Sequence, residues 1–100
     1  MEGAPCSIDG ILRDTVRRAI MWDAAYTLRS HEFSRLGGYY RLLGRLDIAC
    51  TVGAVTPEEY ARLSSDICFL GVNDHAGSHE EERHALAEKC AKAHEEGGWI

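Results

Sequence analysis

Apolar positions recur along the chain at the three-and-four spacing of amphipathic helices, and no segment alternates with the period of a strand. Four helices follow. The first spans about 7–29, with Ser7 or Asp9 as its cap. Ile8, Leu12, Val16, Ala19 and Tyr26 share one face, flanked by Thr15, Ile20 and Trp22, and Arg13, Asp14 and Arg17 lie opposite. The second spans about 34–52, with Leu36, Tyr39, Leu43, Leu46 and Cys50 at 3-4-3-4 spacing. Gly37, Gly38 and Gly44 weaken it by ~1 kcal/mol each relative to alanine. Either they let another backbone approach, or Gly37-Gly38 splits the helix and makes a fifth element.

The turn between the second and third helices is the most fully specified piece. Gly53 suits the left-handed position that ends a helix. Thr56 is an N-cap, Pro57 takes the first helical position, and Glu59 completes a capping box, with Val55 and Tyr60 as a hydrophobic staple. The third helix presents Tyr60, Leu63, Ile67 and Leu70, and Gly71 is expected to stop it. A polar loop, VNDHAG, covers 72–77. Ser78 is expected to cap the fourth helix in a second box with Glu81, and Glu80, Glu81 and Glu82 suit the positive end of its dipole. Leu86, Cys90 and Ala93 form a thin stripe there, and Gly97-Gly98 ends the helix before Trp99 and Ile100.

These elements predict one all-α domain over residues 1–100, a compact bundle of four to five short helices joined by short connections. Its expected core is Leu12, Val16, Ala19, Leu36, Leu43, Leu46, Cys50, Leu63, Ile67, Leu70 and Leu86.

A chain of 100 residues with 45% apolar and 27% charged residues is an ordinary globular domain, long enough for one core and too short for two domains of usual size. It contains no apolar run long enough to span a membrane and no basic segment followed by an apolar one at its N-terminus. A cytoplasmic protein is therefore expected. Cys6, Cys50, Cys68 and Cys90 form no CxxC pair, which argues against a structural zinc site and for reduced, mostly buried thiols, with Cys6 the one expected to be exposed.

Charge divides the chain. Residues 1–50 carry seven arginines against six acids, and residues 51–100 carry four bases against ten acids. An acidic second half disfavours direct binding to a phosphate backbone. The nine arginines against two lysines fit either protein contacts or a high-GC genome.

Candidate chemistry is sparse. Cys90 and His94 share a helix face, but His84 points elsewhere and His75 and His79 join them only if the loop folds back, so no metal or cofactor is expected. A nucleophilic cysteine needs a lowered pKa and a neighbouring base, and Cys50 and Cys90 lie on apolar faces. No catalytic residue is assigned. Asp23 and Asp47 stand within apolar stripes. They either bond an edge tyrosine or arginine (Tyr26, Tyr39, Tyr40, Arg18 or Arg35), share a proton, or mark a recognition surface. Trp22, Tyr39, Tyr40, Tyr60 and Trp99 exceed what a bundle of this size buries easily, and such residues are enriched at interfaces. Arg41 and Arg45 lie four apart on the outward face of the second helix, as a small basic patch or a solvated face.

In size, acidity and compact helical style the chain resembles the small phage-encoded anti-CRISPR proteins that inhibit type I surveillance complexes. The best local match is RLDIACTVGAVTPEEYARLSSDI over 45–67, which looks like connectors common in short bacterial and phage reading frames. The resemblance carries over no functional residue. It implies a non-catalytic inhibitor that binds Cas subunits in the bacterial cytoplasm and blocks target DNA. Asp74, Glu80, Glu81 and Glu82 would face a basic groove, and Tyr40, Arg41 and Arg45 would add contacts. The alternatives are a small regulatory or adaptor protein, monomeric or dimeric, that binds another host protein, and a metal-dependent regulator built on Cys90 and His94.

Overall fold

The computed structural model describes residues 9–100, and Cys6, Ser7 and Ile8 lie outside them. It is an all-α bundle of four helices: α1 Gly10–Leu28, α2 Glu32–Thr51, α3 Pro57–Asn73 and α4 Glu80–Glu96. α1 packs against α4 on one side and α2 on the other, and α3 packs against α2.

Four expected boundaries are built as their chemistry requires. The Asp9 carboxylate caps α1 by accepting from the Ile11 and Leu12 N–H groups at 3.0 and 3.1 Å. α2 ends at Gly53, whose φ of +85° is left-handed. The Ala54 N–H donates to Ala49 O at 2.8 Å and the Gly53 N–H to Cys50 O at 3.1 Å, the paired bonds of a Schellman ending. α3 then opens with the expected capping box: the Glu59 N–H donates to Thr56 Oγ1 at 3.1 Å, and the Thr56 N–H donates to Glu59 Oε1 at 3.0 Å. Gly97 closes α4 in the same way as Gly53 closes α2, with the Gly98 N–H donating to Ala93 O at 2.8 Å.

Other boundaries differ. α2 starts at Glu32 and runs through Gly37-Gly38 unbroken. At Gly38 α2 comes close to α1: a Cβ there would lie 2.6 Å from Thr27 Cγ2 of α1. Gly71 does not stop α3, which continues to Asn73. Ser78 does not cap α4. Its hydroxyl donates to Asn73 O at 2.8 Å and accepts from the His75 N–H at 3.2 Å, which ties the loop to the end of α3. The Asp74 carboxylate takes over at α4, accepting from the His79 N–H at 3.0 Å.

The core differs from expectation in which way the first two helices face. Leu46, Leu63, Ile67, Leu70 and Leu86 are buried as expected. On α1, however, Leu12 is 53% exposed and Ala19 is exposed, while Ile20, Met21, Ala24 and Leu28 are buried. On α2, Leu42 and Ala49 are buried where Leu43 and Cys50 were expected, those two are half-buried, and Leu36 is 53% exposed. The Gly38–Thr27 crossing turns Arg35, Gly38, Leu42 and Ala49 towards the interior. Buried side chains of all four helices, together with Ala54 and Val55 from the α2–α3 turn, make one continuous core.

Candidate functional site

Two charged clusters sit inside this bundle. The first surrounds Asp23, which is 2% exposed. Arg41 Nη2 donates to Asp23 Oδ1 at 2.8 Å and to Thr27 Oγ1 at 3.1 Å, and Arg45 Nη1 donates to Asp23 Oδ2 at 3.0 Å. Arg41 and Arg45 therefore do not form an independent surface patch. They reach from α2 across to α1 and neutralise a buried carboxylate, as burial of an acid demands. The partners expected for Asp23 were Tyr26, Tyr39, Tyr40, Arg18 or Arg35, and Arg41 and Arg45 take that place instead. Asp47 is exposed, so the two aspartates share neither a proton nor a core.

The second cluster centres on Asp74, whose side chain is buried. Arg83 Nε donates to Asp74 Oδ2 at 2.8 Å, and Arg35 Nη2 approaches the same oxygen at 3.5 Å. Burial works to raise the pKa of this carboxyl. The His79 N–H and the two guanidinium groups outweigh it and hold the pKa below the ordinary aspartate value. Asp74 is thus an internal counter-ion and not a surface charge available to a basic partner. It makes sense of its neighbours: Arg83 Nη1 also donates to Leu28 O at 2.7 Å, and Arg35 Nη1 donates to Ser30 O at 2.8 Å. These bonds satisfy carbonyls at and just beyond the C-terminus of α1, where cations are favoured.

Between the two clusters a cavity of about 700 Å³ opens at the junction of α1, α2 and α4. Arg29, Arg35, Arg41 and Arg83 line it with His31 and His84, and Glu32 is the only acid in its wall. Tyr26 forms one side and is stacked on Trp22, with ring centroids 5.3 Å apart and planes 6° apart. Sequence reasoning missed this site, because its arginines come from different elements and converge only after α1 and α2 cross.

The remaining expected residues lie on the surface. Glu80, Glu81 and Glu82 are exposed in the first turn of α4. Tyr40 is 70% exposed on the outer face of α2. It shares that face with Phe33, which is 99% exposed, and with Ile48. Gly37 and Gly44 punctuate the same face, and a Cβ at either would meet nothing. Of the other aromatics, Tyr39 is buried and Trp99 is half-buried beneath the Arg17 guanidinium, 4.9 Å from its ring centroid.

Cys90 and His94 belong to no larger cluster of metal-ligating side chains among the described residues. Cys90 is fully buried, and burial pushes its thiol up to about 12. His94 Nδ1 lies 3.0 Å from Arg18 O, which ties α4 to α1. Among the described residues no group of three or more His, Cys, Asp or Glu side chains is placed to hold a metal ion. Among the described residues no helix is long and apolar enough to cross a membrane. The chain matches no protein-family model, no curated protein and no solved structure.

Proposed function

We propose that this chain is a non-catalytic protein-interaction module that binds through the outer face of α2. The observation that carries this reading is the run Phe33, Gly37, Tyr40, Gly44 and Ile48, at spacings of four, three, four and four along one helix face. Its three large side chains are largely exposed, and its two glycines have open space above them. Two mid-helix glycines cost α2 roughly 2 kcal/mol together relative to alanine, and no described residue packs against them. A partner helix approaching this face would gain close backbone contact and aromatic anchors of the type that dominate interface energies.

The narrower form of the proposal is an inhibitor of a type I CRISPR surveillance complex. It is supported by the size and style of the chain and by its acidic second half. In that form Glu80, Glu81 and Glu82 face a basic Cas groove, and Asp74 has no part in the contact because it is buried.

The test is a pull-down from a bacterial lysate containing an active type I system, with Tyr40→Glu and Phe33→Asp variants alongside. Near-stoichiometric Cas subunits with the unaltered chain, lost with both variants while their melting curves stay unchanged, is the expected result. Absence of Cas subunits removes the inhibitor form. A partner retained equally by both variants removes the α2 face.

A further inference from the structure

We infer that the cavity at the α1–α2–α4 junction binds a nucleoside monophosphate, with its phosphate among the arginines and its base on Tyr26. The electrostatics come first. The chain carries a net charge of −5, yet four arginines line this one cavity against a single acid, Glu32. Asp23 and Asp74 hold three of these four arginines in place, Arg41 on Asp23 and Arg35 and Arg83 on Asp74, and part of the Asp23 charge is taken by Arg45 outside the wall. Arg29 makes no side-chain hydrogen bond to any described residue, so its full charge is added to the wall. The cavity is therefore cationic, and low-dielectric walls concentrate that field on whatever enters.

Donor geometry selects a phosphate. A guanidinium presents five N–H donors. The internal bonds of Arg83 use Nε and Nη1, and those of Arg35 use Nη1 and Nη2. Further N–H groups remain on both residues, and all those of Arg29 remain. Arg35 and Arg83 are each more than nine-tenths buried and fixed by Asp74, so their ordering cost is already met before a ligand arrives. A single carboxylate offers two oxygens. A phosphomonoester offers three and close to two negative charges at neutral pH, which suits converging arginines better.

The aromatic shelf selects the rest of the ligand. Trp22 precedes Tyr26 by one helical turn and covers the ring face towards the N-terminus of α1. Trp22 stacks on one face of the Tyr26 ring only, and Tyr26 lines the cavity together with Arg29. Both residues are more than half exposed, and a parallel stacked pair beside a cationic pocket is a platform on which a base stacks. A volume of about 700 Å³ is in the range of small-molecule sites.

The test is calorimetric titration of the full chain with adenosine monophosphate, inorganic phosphate and adenosine separately, at low and high salt. Arg29→Ala and Tyr26→Ala are the variants. Both side chains are exposed, and unchanged melting temperatures confirm that the fold is retained. The expected result is that the nucleotide binds more tightly than either fragment and weakens with salt. Arg29→Ala should cost about tenfold in affinity, the worth of one charge-assisted hydrogen bond, and Tyr26→Ala should reduce nucleotide binding to the level of inorganic phosphate. Three results would each overturn the inference: no heat with the nucleotide at millimolar concentration, nucleotide binding unchanged in both variants, or inorganic phosphate binding as tightly as the nucleotide.

Discussion

The Arg17 guanidinium grips Glu59 through two parallel bonds, Nη1 to Oε1 at 2.7 Å and Nη2 to Oε2 at 2.8 Å, while the same carboxylate closes the capping box of α3. One acid thus serves the start of a helix and the docking of α1 on the α2–α3 turn. Arg17 adds a bond to Ala54 O at 3.1 Å and lies over Trp99. The Arg17 bond, with help from the Thr56 N–H and against the effect of burial, holds the Glu59 carboxyl down to about 2. That is below the unfolded glutamate value of ~4.3. Its contribution to stability is present in full above that unfolded value, and it is lost as the pH falls through it towards about 2. Glu59→Gln should cost about 1–3 kcal/mol at neutral pH, allowing for partial solvent screening. Urea melts of both proteins across the acid range check this: the difference between them should shrink as the pH falls through that window, and a constant gap would contradict the linkage.

Gly38 and its neighbours Gly37 and Gly44 should respond oppositely to alanine. A Cβ at Gly38 would meet Thr27 Cγ2 at 2.6 Å, and Thr27 is held by Arg41 and cannot swing aside without breaking the Asp23 cluster. Gly38→Ala should therefore destabilise by about 1–3 kcal/mol through overpacking. Gly37→Ala and Gly44→Ala meet open space and should each stabilise by about 0.5–1 kcal/mol. Thermal melts of the three variants give the answer directly, and a loss of stability in all three would contradict the crossing geometry.

How much of this was legible in the sequence depended on the range of the forces involved. Asp9, Gly53, the Thr56–Glu59 box and Gly97 act on backbone groups within a few residues, so residue type and spacing were enough. Helix facing is set by partners far along the chain. Leu43 and Leu42 are equally apolar, and only the approach of Thr27 to Gly38 decides that Leu42 is the buried one. Asp23 was recognisable as an acid in an apolar setting, but its partners Arg41 and Arg45 looked like a solvated face because their long stems carry their charge around the helix. Asp74 looked like a loop acid beside Glu80–Glu82. Nothing local announces that Arg35 and Arg83, 39 and nine residues away, converge on it.

The Asp23 cluster predicts non-additivity. Arg41→Met or Arg45→Met alone leaves the buried carboxylate one guanidinium partner. The double variant leaves it none, a situation that typically costs about 3–5 kcal/mol. The double variant should therefore lose more stability than the two single losses combined, and a double-mutant cycle by chemical denaturation measures the excess. Simple additivity would mean that solvent, and not the two arginines, neutralises Asp23.

Cysteine accessibility separates the three described thiols. Cys68 is exposed, Cys50 half-buried and Cys90 fully buried, with burial pushing the Cys90 thiol up to about 12. Only the thiolate attacks a disulfide reagent, so Cys90 is doubly protected: it is out of reach, and it is protonated across the physiological range. In a Cys6→Ser background, an aromatic disulfide reagent should label Cys68 first and Cys50 more slowly. Cys90 should react only at the rate at which the bundle opens, because α1 and α4 must separate to expose it. Mild denaturant should then accelerate the Cys90 reaction far more than that of Cys68. A comparable acceleration at both thiols would place Cys90 at the surface and contradict the packing of α4 on α1.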